Sequence, residues 1–268
     1  MAITIAETPG ASSGIRAIRD VTVARLNWQV ARVVGVQDET PHARTLTLDI
    51  PNWTGHLAGQ HVDVRLVAED GYQAQRSYSI ASPPEEATVA LTVERIADGE
   101  VSPYLIDVLR PGDGLEVRGP IGGYFVWRAS QPEPLLLVAG GSGVVPLMAM
   151  LRHRARADGA AHARVPARLL YSVRMSDDVI YRNELEELAR SSGVAVAYTF
   201  TRGSPPGWHG YSRRIDRAML EEVAWRASEM PLAYVCGPTP LVESVASLLV
   251  ELGHDASRVR TERFGPTG

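Results

Sequence analysis

Residues 135–146 read Leu-Leu-Leu-Val-Ala-Gly-Gly-Ser-Gly-Val-Val-Pro and predict a buried strand that runs through a glycine turn into a helix. The apolar run 135–139 is typical of a parallel strand covered on both faces. Gly141 and Gly143 would let the backbone approach a phosphate, and the N–H groups at the helix start would face that anion. Pro146 stands where the third glycine of the G-x-G-x-x-G pattern is expected, so an ordinary tight turn is the alternative.

The sequence on the C-terminal side of this stretch alternates between strand-like and helix-like segments. The linker Gln131-Pro-Glu-Pro134 precedes it. After strand 135–139 we predict helix 146–157, strand 167–172, helix 182–191, strand 194–199, helix 216–226, strand 232–236 and helix 239–252. This βαβ repetition predicts an α/β domain over 131–268 with a doubly wound parallel sheet, which is the usual architecture of nucleotide-binding domains.

The sequence on the N-terminal side has short runs rich in Val, Thr, Ile and Leu, separated by Gly, Pro and Asn. The predicted strands are 30–36, 43–50, 61–67, 76–80, 88–95 and 114–119. Such a succession predicts an antiparallel β-barrel domain over 25–130. One helix, Pro103–Leu109, interrupts it, with Ser102 predicted as its N-cap. Residues 1–24 lack the apolar core of a signal peptide and predict a flexible arm.

Composition narrows the classes of function. A net charge of -4 on 268 residues does not call for a nucleic-acid partner. No apolar stretch approaches the ~18 residues that a membrane helix needs. The single cysteine, Cys236, is too few for an iron–sulfur cluster, and no histidine pair has H-x-x-x-H spacing, so we expect no metal site. We expect a cytoplasmic monomer.

A second motif, Arg76-Ser77-Tyr78-Ser79, ends a predicted strand. Arg can neutralise a diphosphate, Tyr can stack on a planar ring, and Ser can bond to a ring nitrogen. Strict alternation puts Arg76 and Tyr78 on one face and Ser79 on the other, unless the strand bends. An exposed strand face without a ligand is the alternative.

A third motif, Cys236-Gly237-Pro238, stands at the end of predicted strand 232–236. Ligands of open α/β sheets bind beyond the carboxyl ends of the strands, where a polarizable thiol could lie beside a flat ring. The alternative is a buried structural cysteine, which is the commoner situation of a free thiol.

Taken together and in this order, the motifs resemble the ferredoxin–NADP reductase superfamily. The resemblance covers residues 28–264 and depends on Arg76–Ser79, Gly141–Pro146, Cys236–Pro238 and Glu262-Arg263-Phe264. It implies an NAD(P)H-dependent flavoprotein reductase without an iron–sulfur domain. Such an enzyme moves a hydride to FAD and sends single electrons to a separate redox protein, such as a ferredoxin or flavodoxin.

The resemblance also implies which residues would bind FAD. Arg76 would hold the pyrophosphate, Tyr78 would stack on the isoalloxazine, and Ser79 would bond near its reactive nitrogen. Phe264 matches a position where many relatives place an aromatic ring over the flavin, although residues 265–268 follow it here. The further implied FAD contacts are Ser77, Val93, Glu94, Arg95, Gly99, Val101 and Ser102.

For the nicotinamide cofactor, the resemblance assigns the pyrophosphate to the glycine turn and the nicotinamide to the surroundings of Cys236 and Glu262. Those two residues and Ser79 are the implied catalytic groups, acting by orientation. The implied NADP contacts are Gly141, Ser142, Gly143, Ser172, Arg174, Tyr181, Arg182, Cys236, Gly237 and Pro238.

The choice between the two nicotinamide cofactors depends on the end of strand 167–172. No Asp or Glu stands there to bind ribose hydroxyls, and the Ser/Arg/Tyr set resembles a 2′-phosphate site, so NADP(H) is favoured over NAD(H). Surface solvation, or pairing with Asp177, Asp178 and Glu184, is the alternative for Arg174 and Arg182.

Two other functions stay open at this point. On the same fold the protein could reduce free flavin or a ferric chelate; a protein acceptor would make turnover strongly salt-dependent, and a small acceptor would not. A non-catalytic flavin-binding sensor or assembly subunit is the other alternative, against which the intact Arg76–Ser79 and Gly141–Pro146 argue.

Overall fold

A computed structural model of the chain describes residues 26–156 and 165–265, which form two sheets. The predicted arm 1–24 and the last residue of predicted helix 146–157 lie outside the described residues. Within them, no helix is long and apolar enough to cross a membrane. The exact domain boundaries stay predictions.

The first sheet is a six-stranded antiparallel β-barrel. Its order is β4-β3-β6-β1-β2-β5. The two outer strands meet where Ile80 bridges to Leu91 and the Ala81 N–H donates to the Ala90 carbonyl at 2.7 Å. The strands are β1 Gln29–Thr40, β2 Ala43–Asp49, β3 His61–Val67, β4 Gln73–Ser79, β5 Val89–Glu94 and β6 Gly114–Ile121.

The helix predicted between β5 and β6 is a short π-helix over Tyr104–Val108. Its N-cap is Pro103, without a side-chain cap, so the prediction of a Ser102 cap is wrong. The Ser102 hydroxyl instead accepts a hydrogen bond from the Ile96 N–H at 3.0 Å. A serine near a helix start can bond to backbone groups of the helix or of a neighbouring loop. Here the bond of Ser102 closes the loop that follows β5.

The second sheet is parallel, in the order β11-β10-β7-β8-β9. Leu135 and Leu137 of β7 pack with one pair of helices, and Leu136 and Val138 pack with the other pair. This confirms the doubly wound α/β fold. The elements are β7 Leu135–Gly140, α1 Val144–Arg156, β8 Ala167–Met175, α2 Arg182–Ser191, β9 Val194–Gly203, α3 Arg217–Val223, β10 Leu232–Pro238, α4 Thr239–Glu251 and β11 Val259–Phe264.

Helix α1 joins the two units. The Arg152 guanidinium donates to the Ala81 carbonyl at 2.8 Å, His153 Nδ1 lies 2.5 Å from Glu85, and Arg156 lies 2.5 Å from Glu86. The apolar core beneath α1 also continues into the barrel side. We call this contact, between Arg152, His153 and Arg156 of α1 and residues 81–86, the domain junction; it fixes where the sheet ends face the barrel.

Candidate functional site

The carboxyl ends of β7, β8 and β10 meet at the turn Gly141–Gly143, a single 3-10 turn that leads into α1. A Cβ at Gly143 would lie 2.2 Å from the Cys236 carbonyl oxygen and 2.8 Å from the Gly237 nitrogen. Gly143 therefore lacks a side chain because the turn packs directly on the β10 backbone. The sequence had suggested close approach to a phosphate as the reason for this glycine.

Gly141 is the residue of this turn that faces the barrel. Its φ is +54°, and the nearest atom to a Cβ there would be a Glu94 carboxylate oxygen at 3.6 Å. Glu94 ends β5 of the barrel, so the turn and the end of β5 face one another. Ser142, between the two glycines, is half-buried. The turn faces the barrel, on the side where a bound dinucleotide would have to lie to meet a flavin.

Cys236 and Glu262 stand side by side on β10 and β11, paired in register. Cys236 is 2% exposed, and burial, followed by the Glu262 charge, raises the pKa of its thiol. Burial raises the pKa of Glu262 to about 7. The structure thus brings together the two residues that the sequence had placed beside the nicotinamide. The edge therefore carries a protonated thiol and a carboxyl that is only partly ionised near neutral pH.

The raised pKa of Glu262 makes stability depend on pH. Its folded value of about 7 exceeds the ordinary 4.5, so between these values the folded protein holds a proton that the unfolded chain has released. The free energy of unfolding should therefore fall as pH rises from 4.5 to about 7. Glu262→Gln should reduce this fall, as measured by denaturant unfolding of the flavin-free protein at about pH 5 and about pH 8.

Glu243→Gln is the matched control for this prediction, because Glu243 is an exposed carboxylate nearby that pairs with Arg263 at 2.6 Å. It should keep the parent's pH dependence. An unchanged pH dependence in Glu262→Gln would show that this carboxyl does not titrate abnormally.

Pro238 and Phe264 extend the same edge of the sheet. They are paired in register one step beyond Gly237 and Arg263. Gly237 packs on Gly140, because a Cβ at Gly237 would lie 3.1 Å from the Gly140 Cα. The Phe264 ring is 37% exposed, so an aromatic surface is available beside Glu262 where the resemblance places the flavin ring.

On the barrel side, β4 presents the Arg76–Ser79 motif. Its pairing with β3 stays regular up to Ser79 opposite His61, so Tyr78 and Ser79 project from opposite faces, as strict alternation predicts. Tyr78 is half-buried against the barrel core, and burial raises its pKa to about 12. The Arg76 guanidinium is exposed and pairs with Glu100 at 3.2 Å, a partner that the sequence analysis missed.

Ser77 has a structural partner. Its hydroxyl donates to Asp63 at 2.7 Å, and the same carboxylate accepts from Arg118 at 2.6 Å. These contacts hold the pKa of Asp63 below its usual value despite burial. The Ser77 hydroxyl is therefore engaged by Asp63 on the exposed side of the barrel wall, and its assignment as a cofactor contact stays a prediction that this bond does not favour.

The other residues of the implied FAD site differ in accessibility. Val93 and Val101 are buried in the barrel core, so only their backbones could contact a ligand. The Arg95 guanidinium pairs with Asp107 at 2.9 Å. Gly99 lies in the loop that the Ser102 hydroxyl closes, with its N–H bonded to the Ile96 carbonyl at 3.0 Å.

The residues implied to bind the 2′-phosphate have different surroundings in the structure. Ser172 is buried opposite Gly140, three residues before the end of β8. Arg174, two residues further on, is exposed. Arg182 donates to the Ser176 carbonyl and so closes the turn Ser176–Asp178. Of the two arginines, Arg174 is the one that lies at the strand end on the surface.

Tyr181 is 3% exposed and adopts a left-handed conformation with φ 60° before α2. Its hydroxyl shares a hydrogen bond with Thr92 of β5, and the Arg152 guanidinium lies 4.7 Å from the centre of its ring. Arg152 in turn holds Glu184 with two hydrogen bonds, of 2.8 and 2.6 Å. This placement corrects the assignment of Tyr181 to the 2′-phosphate, since the residue is part of the contact between the two units.

The comparisons with known proteins agree with this arrangement. The model of the oxidoreductase FAD-binding domain matches residues 31–126, and that of the oxidoreductase NAD-binding domain matches residues 137–247. Ferredoxin–NADP reductase B of Sorangium cellulosum is 36% identical over 87% of this chain and 96% of its own length. The chain belongs to the ferredoxin–NADP reductase superfamily. It is an NAD(P)H-dependent flavoprotein oxidoreductase with an FAD-binding and an NAD(P)-binding domain.

Some relatives are longer than this chain. The glycine betaine monooxygenase reductase subunit of Pseudomonas aeruginosa is 35% identical over 89% of this chain, which spans 64% of that protein. Among solved structures, the FAD/NAD-binding domain of a Vibrio cholerae nitric oxide dioxygenase has a TM-score of 0.78 at 22% identity, with 89% of this chain and 99% of that one covered. An Amycolatopsis cytochrome P450 reductase has a TM-score of 0.77 at 26% identity, with 91% and 71% covered.

Proposed function

We propose that this superfamily member oxidises NADPH with FAD as its cofactor and passes the electrons to a separate redox protein of the ferredoxin or flavodoxin type. The observation that supports this most is the edge formed by Cys236, Glu262 and Phe264 beside the open Gly141 turn. A partly aromatic edge whose one carboxyl is only partly ionised near neutral pH suits a nicotinamide stacked on a flavin, and the N–H groups of the turn suit the dinucleotide phosphates.

The chain's own residues would bind and orient. Arg76 offers charge and the backbone of residues 100–102 offers N–H groups to the flavin pyrophosphate, while Tyr78 and Phe264 offer ring surfaces. Flavin, when bound, takes up a hydride and gives up its electrons one at a time. The buried thiol of Cys236 stays protonated, so it orients the nicotinamide without placing a negative charge beside it.

The experiment that tests the function is anaerobic mixing of the flavin-loaded protein with NADPH and, separately, with NADH, followed by the oxidised flavin absorbance. Rapid bleaching by NADPH alone is the expected result. Bleaching by NADH alone would overturn the preference for NADPH, and no bleaching by either would overturn the proposal.

Arg174 supports the preference for NADPH, because its exposed guanidinium near the end of β8 could pair with a 2′-phosphate; the carboxylates Asp177 and Asp178 follow in the next turn. Arg174→Gln should raise the Kd of NADPH about tenfold, the usual cost of a lost charged hydrogen bond, and leave that of NADH unchanged. Arg190→Gln, which removes an equally exposed arginine paired with Glu187 at 3.0 Å, is the control. Equal losses for NADPH and NADH would contradict a 2′-phosphate contact.

The proposal about the electron acceptor depends on the number of cysteines. These 268 residues contain only Cys236 and cannot ligate an iron–sulfur cluster, so the electrons would leave the flavin for a group outside these residues. Reductase components of oxygenases are among the relatives by name. A cytoplasmic location and a monomeric state stay predictions.

Reduction of free flavin is the second candidate function, and one observation favours it. The guanidinium proposed to hold the flavin pyrophosphate, that of Arg76, has a carboxylate partner in its own chain. A loosely held flavin would behave as a substrate that enters and leaves.

A further inference from the structure

Glu100 lies at the centre of a three-residue contact on the surface of the barrel. Its Oε2 lies 3.2 Å from the Arg76 guanidinium, and its Oε1 accepts a hydrogen bond from the Tyr72 hydroxyl at 2.6 Å. Arg76 also donates to the Gln75 carbonyl at 2.7 Å. The Tyr72 hydroxyl thus holds Glu100 in the position where it pairs with Arg76.

The location of Glu100 in the sequence makes this contact significant. It stands between Gly99 and Ser102, in the loop whose N–H groups would face the flavin pyrophosphate. An anion-binding loop gains from backbone donors and cations and loses from a fixed carboxylate. Here the carboxylate is in the loop itself and already occupies the guanidinium proposed for the phosphates.

The charges around Glu100 also disfavour the binding of a diphosphate. Residues 94–107 contain the acids Glu94, Asp98, Glu100 and Asp107 and a single basic residue, Arg95. Arg95 pairs with Asp107 at 2.9 Å, so both cations among the implied FAD contacts, Arg76 and Arg95, have carboxylate partners. A diphosphate would enter a region whose local charge is already negative.

We propose that Glu100 competes with the flavin pyrophosphate for Arg76, so that FAD is held weakly and exchanges with free flavin. The inference rests on the proposed function in one respect, namely that FAD binds across Arg76 and the loop 99–102. It goes further, because it assigns to Glu100 the control of how long the flavin stays and makes flavin exchange a property of this chain.

The expected change in FAD affinity is limited because the Arg76 and Glu100 side chains are exposed to solvent. The Arg76 and Glu100 side chains are 56% and 48% exposed, so solvent screens the ion pair. Removing the Glu100 charge frees Arg76 from its ion pair and removes the repulsion between Glu100 and the pyrophosphate. These two small free energies together correspond to about a five- to tenfold change in the affinity for FAD. Glu100→Gln should keep the hydrogen bond from Tyr72 while removing the charge, and it should tighten FAD binding by this factor.

The test is titration of the flavin-free full chain with FAD, followed by the quenching of flavin fluorescence. Glu100→Gln should lower the Kd of FAD and slow its release into excess buffer. Glu187→Gln removes a carboxylate from a comparably exposed arginine pair on α2, with Arg190 at 3.0 Å, and it should leave the Kd unchanged. A variant that merely lost structure would bind FAD more weakly.

A double-mutant cycle separates competition from a general charge effect. In an Arg76→Gln background, the gain from Glu100→Gln should shrink, because the guanidinium for which the two anions compete is gone. An equal or weaker affinity in Glu100→Gln, with FAD still bound by the parent, would overturn the inference and leave the proposed function intact. FAD binding to neither protein would overturn both.

Discussion

Gly143→Ala is expected to lower the free energy of unfolding by about 3 kcal/mol, the upper range for overpacking in a well-packed interior. The added Cβ would lie 2.2 Å from the Cys236 carbonyl oxygen, and a backbone atom cannot move aside as the end of a flexible side chain can. The turn or β10 must shift. Because the shift occurs at the edge where the nicotinamide is proposed to bind, the Kd of NADPH should rise as well.

Gly123→Ala is the matched control, because Gly123 also lacks a positive φ and a Cβ there would meet nothing within 4 Å. Denaturant unfolding of the two variants isolates the steric cost from the general effect of replacing a glycine. A loss for Gly143→Ala no larger than that for Gly123→Ala would mean that the turn does not pack on β10 as described.

Ser79→Ala is expected to slow flavin reduction by NADPH on the order of 100-fold, because a small misplacement of reacting groups costs about that much in rate. The proposed contact of the Ser79 hydroxyl is with the flavin ring near its reacting nitrogen, and binding of NADPH depends on other residues. Stopped-flow measurement of the limiting reduction rate and of the NADPH Kd should therefore show a large change in the first and a small one in the second.

Ser77→Ala is the natural control, since Ser77 stands two residues earlier on the same face of β4 and its hydroxyl is bonded to Asp63 at 2.7 Å. It should cost some stability and leave the limiting reduction rate near that of the parent. Equal, small effects of Ser79→Ala on reduction and on NADPH binding would remove Ser79 from the orienting groups.

The elements that could be predicted are those whose sequence pattern reflects their burial. Strand β7 is a continuous apolar run because helices cover both of its faces, and the turn after it is marked by glycines. Strand β11 was missed because it lies at the sheet edge and reads Val-Arg-Thr-Glu-Arg-Phe. An edge strand pairs on one side only and needs no apolar run.

Contacts between residues far apart in the sequence could not be predicted. The Tyr181 hydroxyl meets Thr92, 89 positions away, and Arg76 meets Glu100 across the barrel surface. A motif indicates which kinds of side chain are present, but their partners depend on how the sheets are placed. The same limit explains Ser77, which belongs to the flavin motif in sequence and to the barrel wall in structure.

The domain junction limits how this enzyme could be recombined. Its three cationic or titratable side chains, Arg152, His153 and Arg156, belong to the nucleotide-binding unit, and their partners are the Ala81 carbonyl, Glu85 and Glu86 of the barrel. A barrel grafted from a relative with a different sequence at 81–86 would leave these groups facing the wrong surface. A chimera that takes its barrel from a relative would therefore also need that relative's residues at positions 152, 153 and 156 of α1.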